Sequence, residues 1–282
     1  MRNQWRPTLP ETTLPSDRDA LRDLALEAGT VLGDDLSGAL AVAGKAGTEF
    51  VTEADRRSEE LVLSGLARLF PGEPVVAEES GSHPGHGDRT WYVDPLDGTT
   101  NYAHGYPFYC VSIGAQDAQG LALAAVCAPA LGECYLAARG YGAQLMSLRT
   151  GKVRDLPVRQ GVPLDAALLA TGFPYVRDEL VSRNTDLVRA LLQAPCHGVR
   201  RAGSAALDLC HVAAGRLDGY WEFRLRPWDC AAGTLVAREC GVTVTRVSGE
   251  SEELPHADIL AAPGELHAAM LTVIGGRSDP CG

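Results

Sequence analysis

Between Phe108 and Met146 the chain reads FYCVSIGAQD, LALAAVCAPA, ECYLAARG and GAQLM, four short apolar runs separated by glycine-containing turns. Runs of strand length joined this way predict an antiparallel meander. After about residue 160 the pattern changes to alternation. LLATGF, DGYWEF, VTVTRV and DILAAP read as strands; 182–193, 204–215, 228–239 and a segment near 263–274 read as helices. Upstream, Ser16-Asp17-Arg18-Asp19 resembles a capping box, and Leu21, Leu24, Ala25, Ala28, Val31 and Leu32 follow at helical spacing. A Gly/Ala-rich passage is expected to end that helix near Gly44. A second helix is expected from Thr52 to Pro71-Gly72, with short strands at 74–77 and 90–93. The fold class is therefore α/β and layered, sheet-rich to about residue 150 and α/β from about 155. Residues 1–15, rich in Pro and Thr, read as a flexible N-terminus.

The formal net charge is −11, and the longest Arg clusters are the pairs Arg56-Arg57 and Arg200-Arg201. Phosphate-backbone binding needs clustered positive charge, so no nucleic-acid partner is expected. The eight cysteines form no CxxC pair and no zinc-finger spacing with histidine, and several lie in apolar runs. They read as reduced core thiols of a cytoplasmic protein. No signal-peptide core and no apolar run of membrane-spanning length is visible, so no membrane partner is expected.

Acidic residues gather where α/β proteins bind ligands, beyond strand ends and at helix starts. Glu78 and Glu79 follow the strand PVVA. Asp94 and Asp97 stand in WYVDPLDGTTN. Asp229 opens the helix of RPWDCAAG. Each has a plain alternative: a solvated loop for the glutamates, turn chemistry for the Asp94/Asp97 pair, a helix cap for Asp229. Asp55 likewise fits a capping box with Thr52. Brought together, such acids repel unless a cation neutralises them. Oxygen donors without His or Cys select Mg2+, Ca2+ or Mn2+. Gly98 permits a tight turn, and Thr99, Thr100 and nearby backbone N–H groups suit phosphate oxygens. The residues alone thus point to metal-assisted phosphoryl transfer. No G-x-S-x-G or H-E-x-x-H motif offers another chemistry.

WYVDPLDGTTNYAHGYPFYCVSIG and DGYWEFRLRPWDCAAG strongly resemble the two signature motifs of the inositol monophosphatase family, and GKAGTEFVTEAD and VRRAGSAALDLC match in order and spacing. The resemblance spans residues 16–275 as one catalytic domain, leaving a tail at 276–282. It implies a layered αβαβα sandwich with an antiparallel-rich first sheet and a mixed second sheet, usually a homodimer, Mg2+-dependent and lithium-sensitive. It implies two or three Mg2+ ions held by Glu78, Asp94, the Leu96 carbonyl, Asp97 and Asp229, with Asp94 bridging two of them. Asp55 and Thr99 would activate the attacking water, with Glu78 counted beside them in the catalytic set. Glu79 would lie just behind the ligands, and Asp97, Gly98 and Thr99 would line the phosphate pocket.

Glu222, seven residues before Asp229, occupies the place that binds sugar-like hydroxyls in inositol-specific relatives, with Ser204 and Ala205 beside it. The expected substrate is a small phosphorylated polyol or sugar, first of all myo-inositol 1-phosphate. Arg224 and Arg226 make FRLRPWD more basic than the corresponding stretch in many inositol phosphatases. They read either as an exposed loop or as a site for a second anionic group. Fructose 1,6-bisphosphate, histidinol phosphate and 3′-phosphoadenosine 5′-phosphate therefore stay open as substrates. A regulatory binding protein with secondary phosphatase activity is the alternative of another class.

Overall fold

The computed structural model describes residues 14–35, 42–44, 50–251, 254 and 257–275. In chain order the first half holds α1 (Leu14–Asp35), β1 (Val42–Gly44), β2 (Phe50–Thr52), α2 (Glu53–Leu69), β3 (Val75–Ala77), β4 (Gly81–His83), β5 (Thr90–Asp97), α3 (Thr99–Ala103), β6 (Cys110–Asp117), β7 (Gly120–Ala128), β8 (Glu133–Ala138), β9 (Ala143–Ser147) and β10 (Val153–Asp155). The second half holds β11 (Leu168–Thr171), α4 (Glu179–Gln193), β12 (Gly198–Arg200), α5 (Ala205–Ala214), β13 (Gly219–Leu225), α6 (Pro227–Glu239), β14 (Val242–Thr245), β15 (Ala257–Pro263) and α7 (Gly264–Gly275).

Strands β3 to β10 make one sheet of eight in the order β10-β9-β8-β7-β6-β5-β3-β4, antiparallel except for the parallel β3–β5 pair. Helices α1 and α2 cover one face, burying Leu21, Leu24, Leu32, Val62 and Leu66 against Trp91, Val93 and Ile113. Gly65 lets the two helices close up, because a Cβ there would strike the Leu24 side chain. Helices α5 and α6 cover the other face. With helices on both sides, all nine residues of β7, GLALAAVCA, are buried, which explains an apolar run without polar alternation.

The second sheet has the order β12-β11-β13-β15-β14, parallel across β12, β11 and β13 and antiparallel beyond. Its inner face packs Ala170, Tyr220, Ile259 and Ala261 on α5 and α6. Its outer face packs Leu169, Trp221, Phe223 and Leu260 under α4 and α7. The resulting order of layers is α, β, α, β, α. The period of two along β13 puts Tyr220 and Glu222 on the inner side.

Several boundaries differ from the sequence reading. Helix α1 already includes Leu14 and Pro15, so Ser16 lies in its first turn rather than at a cap. It ends at Asp35, well before Gly44, which instead closes β1 in a hairpin with β2. Residues 1–13 and 276–282, read as flexible terminus and tail, lie outside the described residues. Strand β5 extends four residues beyond Val93 to Asp97, with a break in its pairing to β6 between Asp94 and Asp97. Arg224 is not in an exposed loop. It sits half-buried inside β13, at an irregularity in the pairing with β15 and with φ of 64°. Among the described residues seven cysteines are free thiols, and no helix is long and apolar enough to cross a membrane.

Candidate active site

The ends of β3, β5 and β13 and the start of α6 open on one cavity of about 390 Å3. Its lining includes Glu78, Asp94, Leu96, Asp97, Gly98, Thr99, Ala205, Glu222 and Asp229. Ser204, Asp55 and Glu79 are not among its lining residues. The chain reverses at Gly98, whose φ of 95° belongs to the left-handed region and whose missing Cβ leaves room for the Phe108 carbonyl. That turn converts β5 into α3 and brings Thr99 against Asp55.

Asp55 serves two partners with its two oxygens. Oδ2 accepts the Thr52 backbone N–H at 2.7 Å and the Thr52 hydroxyl at 2.6 Å, completing a capping box on α2. Oδ1 accepts the Thr99 hydroxyl at 3.3 Å. The capping box therefore coexists with a hydrogen bond from Thr99. Thr99 Oγ1 also lies 2.9 Å from the Leu96 carbonyl. A hydroxyl has one proton, so these two acceptors compete for it. Burial, the largest influence, raises the Asp55 carboxyl above its ordinary range.

Asp94 is anchored by the Leu96 backbone N–H, which donates to Oδ1 at 3.0 Å. Its carboxyl is pushed well up by burial and then by Glu78, Asp97 and Asp229. Asp97 accepts the Ser204 hydroxyl at 2.6 Å and the Ala206 N–H at 2.8 Å, the first turn of α5. Burial still raises it to about 6. Asp229 accepts the Arg226 N–H at 2.6 Å and is pushed well up by burial, with Glu78, Asp97 and Glu222 adding to the shift. Ser204, expected beside the leaving group, is instead the N-cap of α5 and a donor to Asp97. Behind Glu78, the buried Glu59 carboxylate accepts the Glu79 and Ser80 N–H groups at 3.0 and 2.9 Å and fixes the loop after β3.

Among the described residues no three His, Cys, Asp or Glu side chains converge tightly enough to form a ready-made coordination cluster. The acids nevertheless stand close enough to raise one another's pKa values, and repulsion opposes closer approach. The lining contains no His and no Cys. Carboxylates plus a backbone carbonyl are the donors of a hard divalent cation, which takes its remaining ligands from water and substrate. The donor set fits a hard divalent cation such as Mg2+, Ca2+ or Mn2+.

The rest of the lining mixes charge and aromatic surface. Arg201, Arg224 and Arg226 stand in it with Phe173, Tyr175 and Trp228. The Arg224 guanidinium is engaged by Asp178, the N-cap of α4. Although Tyr175 is 42% exposed, partial burial raises its hydroxyl to about 12, and a hydrogen bond with Thr100 works against the shift. Sequence reasoning missed Arg201, Tyr175 and Asp208. Arg201 was visible only as half of an Arg pair, and Tyr175 carries no motif. Asp208, on α5, is fully buried with neither carboxylate oxygen hydrogen-bonded, and burial, then Glu222 and Asp97, push it well up.

The sequence profile of the inositol monophosphatase family matches residues 16–275, and the chain belongs to that family. A putative Nus factor SuhB of Neisseria meningitidis is 40% identical over 234 residues, 83% of this chain and 87% of the relative. An inositol-1-monophosphatase of Synechocystis is 39% identical over 261 residues, 90% and 88% of the two chains. Among solved structures, the extragenic suppressor protein suhB of Bartonella henselae superposes with a TM-score of 0.84 at 32% identity, covering 92% of this chain and 98% of the other. The inositol monophosphatase of Anabaena superposes with a TM-score of 0.82 at 37% identity, covering 96% and 99%.

Proposed function

We propose that the protein hydrolyses the phosphate monoester of a small polyol, myo-inositol 1-phosphate, in a Mg2+-dependent reaction. The observation that carries this reading is the Asp55–Thr99 hydrogen bond beside an acid-lined cavity whose lining also includes Glu222. A phosphate monoester is among the slowest bonds to hydrolyse without a catalyst. Glu78, Asp94, the Leu96 carbonyl, Asp97 and Asp229 would hold the cations. Bound there, divalent ions neutralise the phosphoryl oxygens, acidify water and stabilise the leaving alkoxide.

The chain's own part is proton handling and orientation. The Leu96 carbonyl would be among the groups that hold a cation, and the Thr99 hydroxyl would then donate its hydrogen bond to Asp55 Oδ1. A Thr99 lone pair is then free to accept a hydrogen bond from the attacking water and aim it at phosphorus. Glu222 receives hydrogen bonds from the hydroxyls of the leaving group. A phosphate-release panel in Mg2+ over inositol 1-phosphate, fructose 1,6-bisphosphate, histidinol phosphate and 3′-phosphoadenosine 5′-phosphate tests the assignment. Inositol 1-phosphate should give the highest kcat/KM, and preference for either bisphosphate would transfer the assignment to a substrate whose second anion meets the arginines.

A second reading follows from the names of several relatives, which are called Nus factors. In it the fold serves a macromolecular partner and hydrolysis is secondary. With such names among the relatives, the acidic net charge alone does not decide against an assembly containing nucleic acid. An Asp94→Asn chain that lacks phosphatase activity yet restores growth to cells deleted for the wild-type chain would favour this reading.

A further inference from the structure

Glu222 is held by contacts that no ligand role requires. The fully buried Tyr220, two residues earlier on the same face of β13, donates its hydroxyl to Glu222 Oε2. The carboxylate lies flat over Gly172, just past the end of β11, where a Cβ would overlap its carboxyl carbon and both oxygens. Gly172 is itself fixed. Its carbonyl accepts the Asn184 side-chain N–H at 2.6 Å, and Asn184 Oδ1 accepts the Trp221 indole N–H at 2.6 Å. Asn184 is completely buried, so this link crosses dry protein and ties α4 to both β11 and β13. Tyr220, Trp221 and Glu222, three consecutive residues, are thus each locked against the end of β11 or its clamp.

A carboxylate that must meet ring hydroxyls needs such a support. A free glutamate loses side-chain entropy each time it orders on a ligand, and binding weakens accordingly. We infer that Tyr220, Gly172 and Asn184 are positioning residues that hold the Glu222 carboxylate in its receiving orientation and thereby set the preference for polyol phosphates. The inference rests on the reading of Glu222 as the hydroxyl acceptor. None of the three is among the residues that line the cavity, whereas Asp94, Asp97, Thr99 and Asp229 are.

Tyr220→Phe keeps the ring and removes the one donor. Steady-state kinetics in Mg2+ on inositol 1-phosphate should show about a tenfold loss in kcat/KM carried mostly by KM, because a preordered binding contact is lost rather than a transition-state contact. p-Nitrophenyl phosphate, which lacks the hydroxyls, should change less than about twofold. Because Tyr220 acts through Glu222, the Tyr220→Phe/Glu222→Gln double variant should be no worse on inositol 1-phosphate than Glu222→Gln alone. Gly172→Ala should give the same substrate-selective loss by displacing the carboxylate. Equal losses on both substrates, or additive losses in the double variant, would overturn the positioning role. If Glu222→Gln itself spares inositol 1-phosphate, the reading of Glu222 fails instead, a pattern distinct from failure of Tyr220 alone.

Discussion

The two walls of the cavity are built differently. On the phosphate side, Asp94, Leu96, Asp97, Gly98 and Thr99 come from six consecutive residues, and backbone N–H groups anchor Asp94, Asp97 and Asp229. On the leaving-group side, Glu222 and Arg224 of β13, Arg201 and Tyr175 come from three separate segments. They are held by side chains: Tyr220 for Glu222, Asp178 for Arg224, Thr100 for Tyr175. The Asp94 and Asp229 anchors come from residues two or three positions away and are set as soon as the local turn forms, whereas the anchors of Asp97 and Arg224 depend on residues far away in sequence.

Variants should separate the walls. Asp94→Asn strikes the phosphate side hardest. Phosphate release from inositol 1-phosphate and from p-nitrophenyl phosphate should fall together by about a thousandfold, since ~4 kcal/mol of electrostatic stabilisation corresponds to three decades. Circular dichroism should be unchanged. Near-wild-type turnover in this variant would remove Asp94 from the site.

Asp55→Asn comes next. Asn has one carbonyl oxygen where Asp55 uses two, so it cannot both complete the capping box and accept the Thr99 proton. The cap should survive, leaving the thermal midpoint nearly unchanged. Loss of the base should lower kcat by about a hundredfold or more with little change in KM. A variant that lost stability but kept kcat would reduce Asp55 to its cap.

Asp208→Asn probes a buried acid that neither wall uses. A carboxyl whose folded pKa is raised stays protonated in the folded chain while the unfolded chain ionises. Such a group weakens the fold as pH rises above about 4, the unfolded value. Asp94, Asp97, Glu222 and Asp229 act in the same sense, through a window reaching about 6 for Asp97 and about 7 for Glu222. Thermal melts in EDTA should therefore fall between pH 5 and pH 7.5, and Mg2+ should restore the loss at pH 7.5. Asp208→Asn should raise the midpoint at pH 7.5 more than at pH 5. An equal effect at both pH values would mean that the Asp208 carboxyl is not the source.

Arg224→Gly should have the smallest effect. The left-handed conformation costs a side-chain-bearing residue about 1–2 kcal/mol, and the part-exposed pair with Asp178 returns at most about 1 kcal/mol. The melt should stay level or rise slightly, with turnover of p-nitrophenyl phosphate unaffected. A raised KM confined to a bisphosphate substrate would show that the arginine meets a second anion.

The contrast also explains what was legible in the sequence. The meander of β6 to β9 and the alternation after residue 160 declared themselves because strand length, turn glycines and helical spacing are local. So did the acids of WYVDPLDGTTN, whose spacing needs only a strand and a turn. The three-residue strands β4, β10 and β12 carry no period long enough to read. Arg224 looked like loop because Pro227 and the arginines suggest one, yet its Asp178 partner, 46 residues away, holds it in a strand. Tyr220 and Gly172 look like ordinary core and turn residues, and only the parallel pairing of β11 with β13 places one beside the other's neighbour.

The central claim is that the acids at the ends of β3 and β5 and the start of α6 carry a Mg2+-dependent phosphatase reaction. Its most direct test is phosphate release from inositol 1-phosphate by EDTA-treated protein as Mg2+ is titrated back. The account predicts background release in EDTA, a saturable rise with Mg2+, and no rise in Asp94→Asn. Release that EDTA leaves unchanged, or that Mg2+ restores equally in Asp94→Asn, would contradict it.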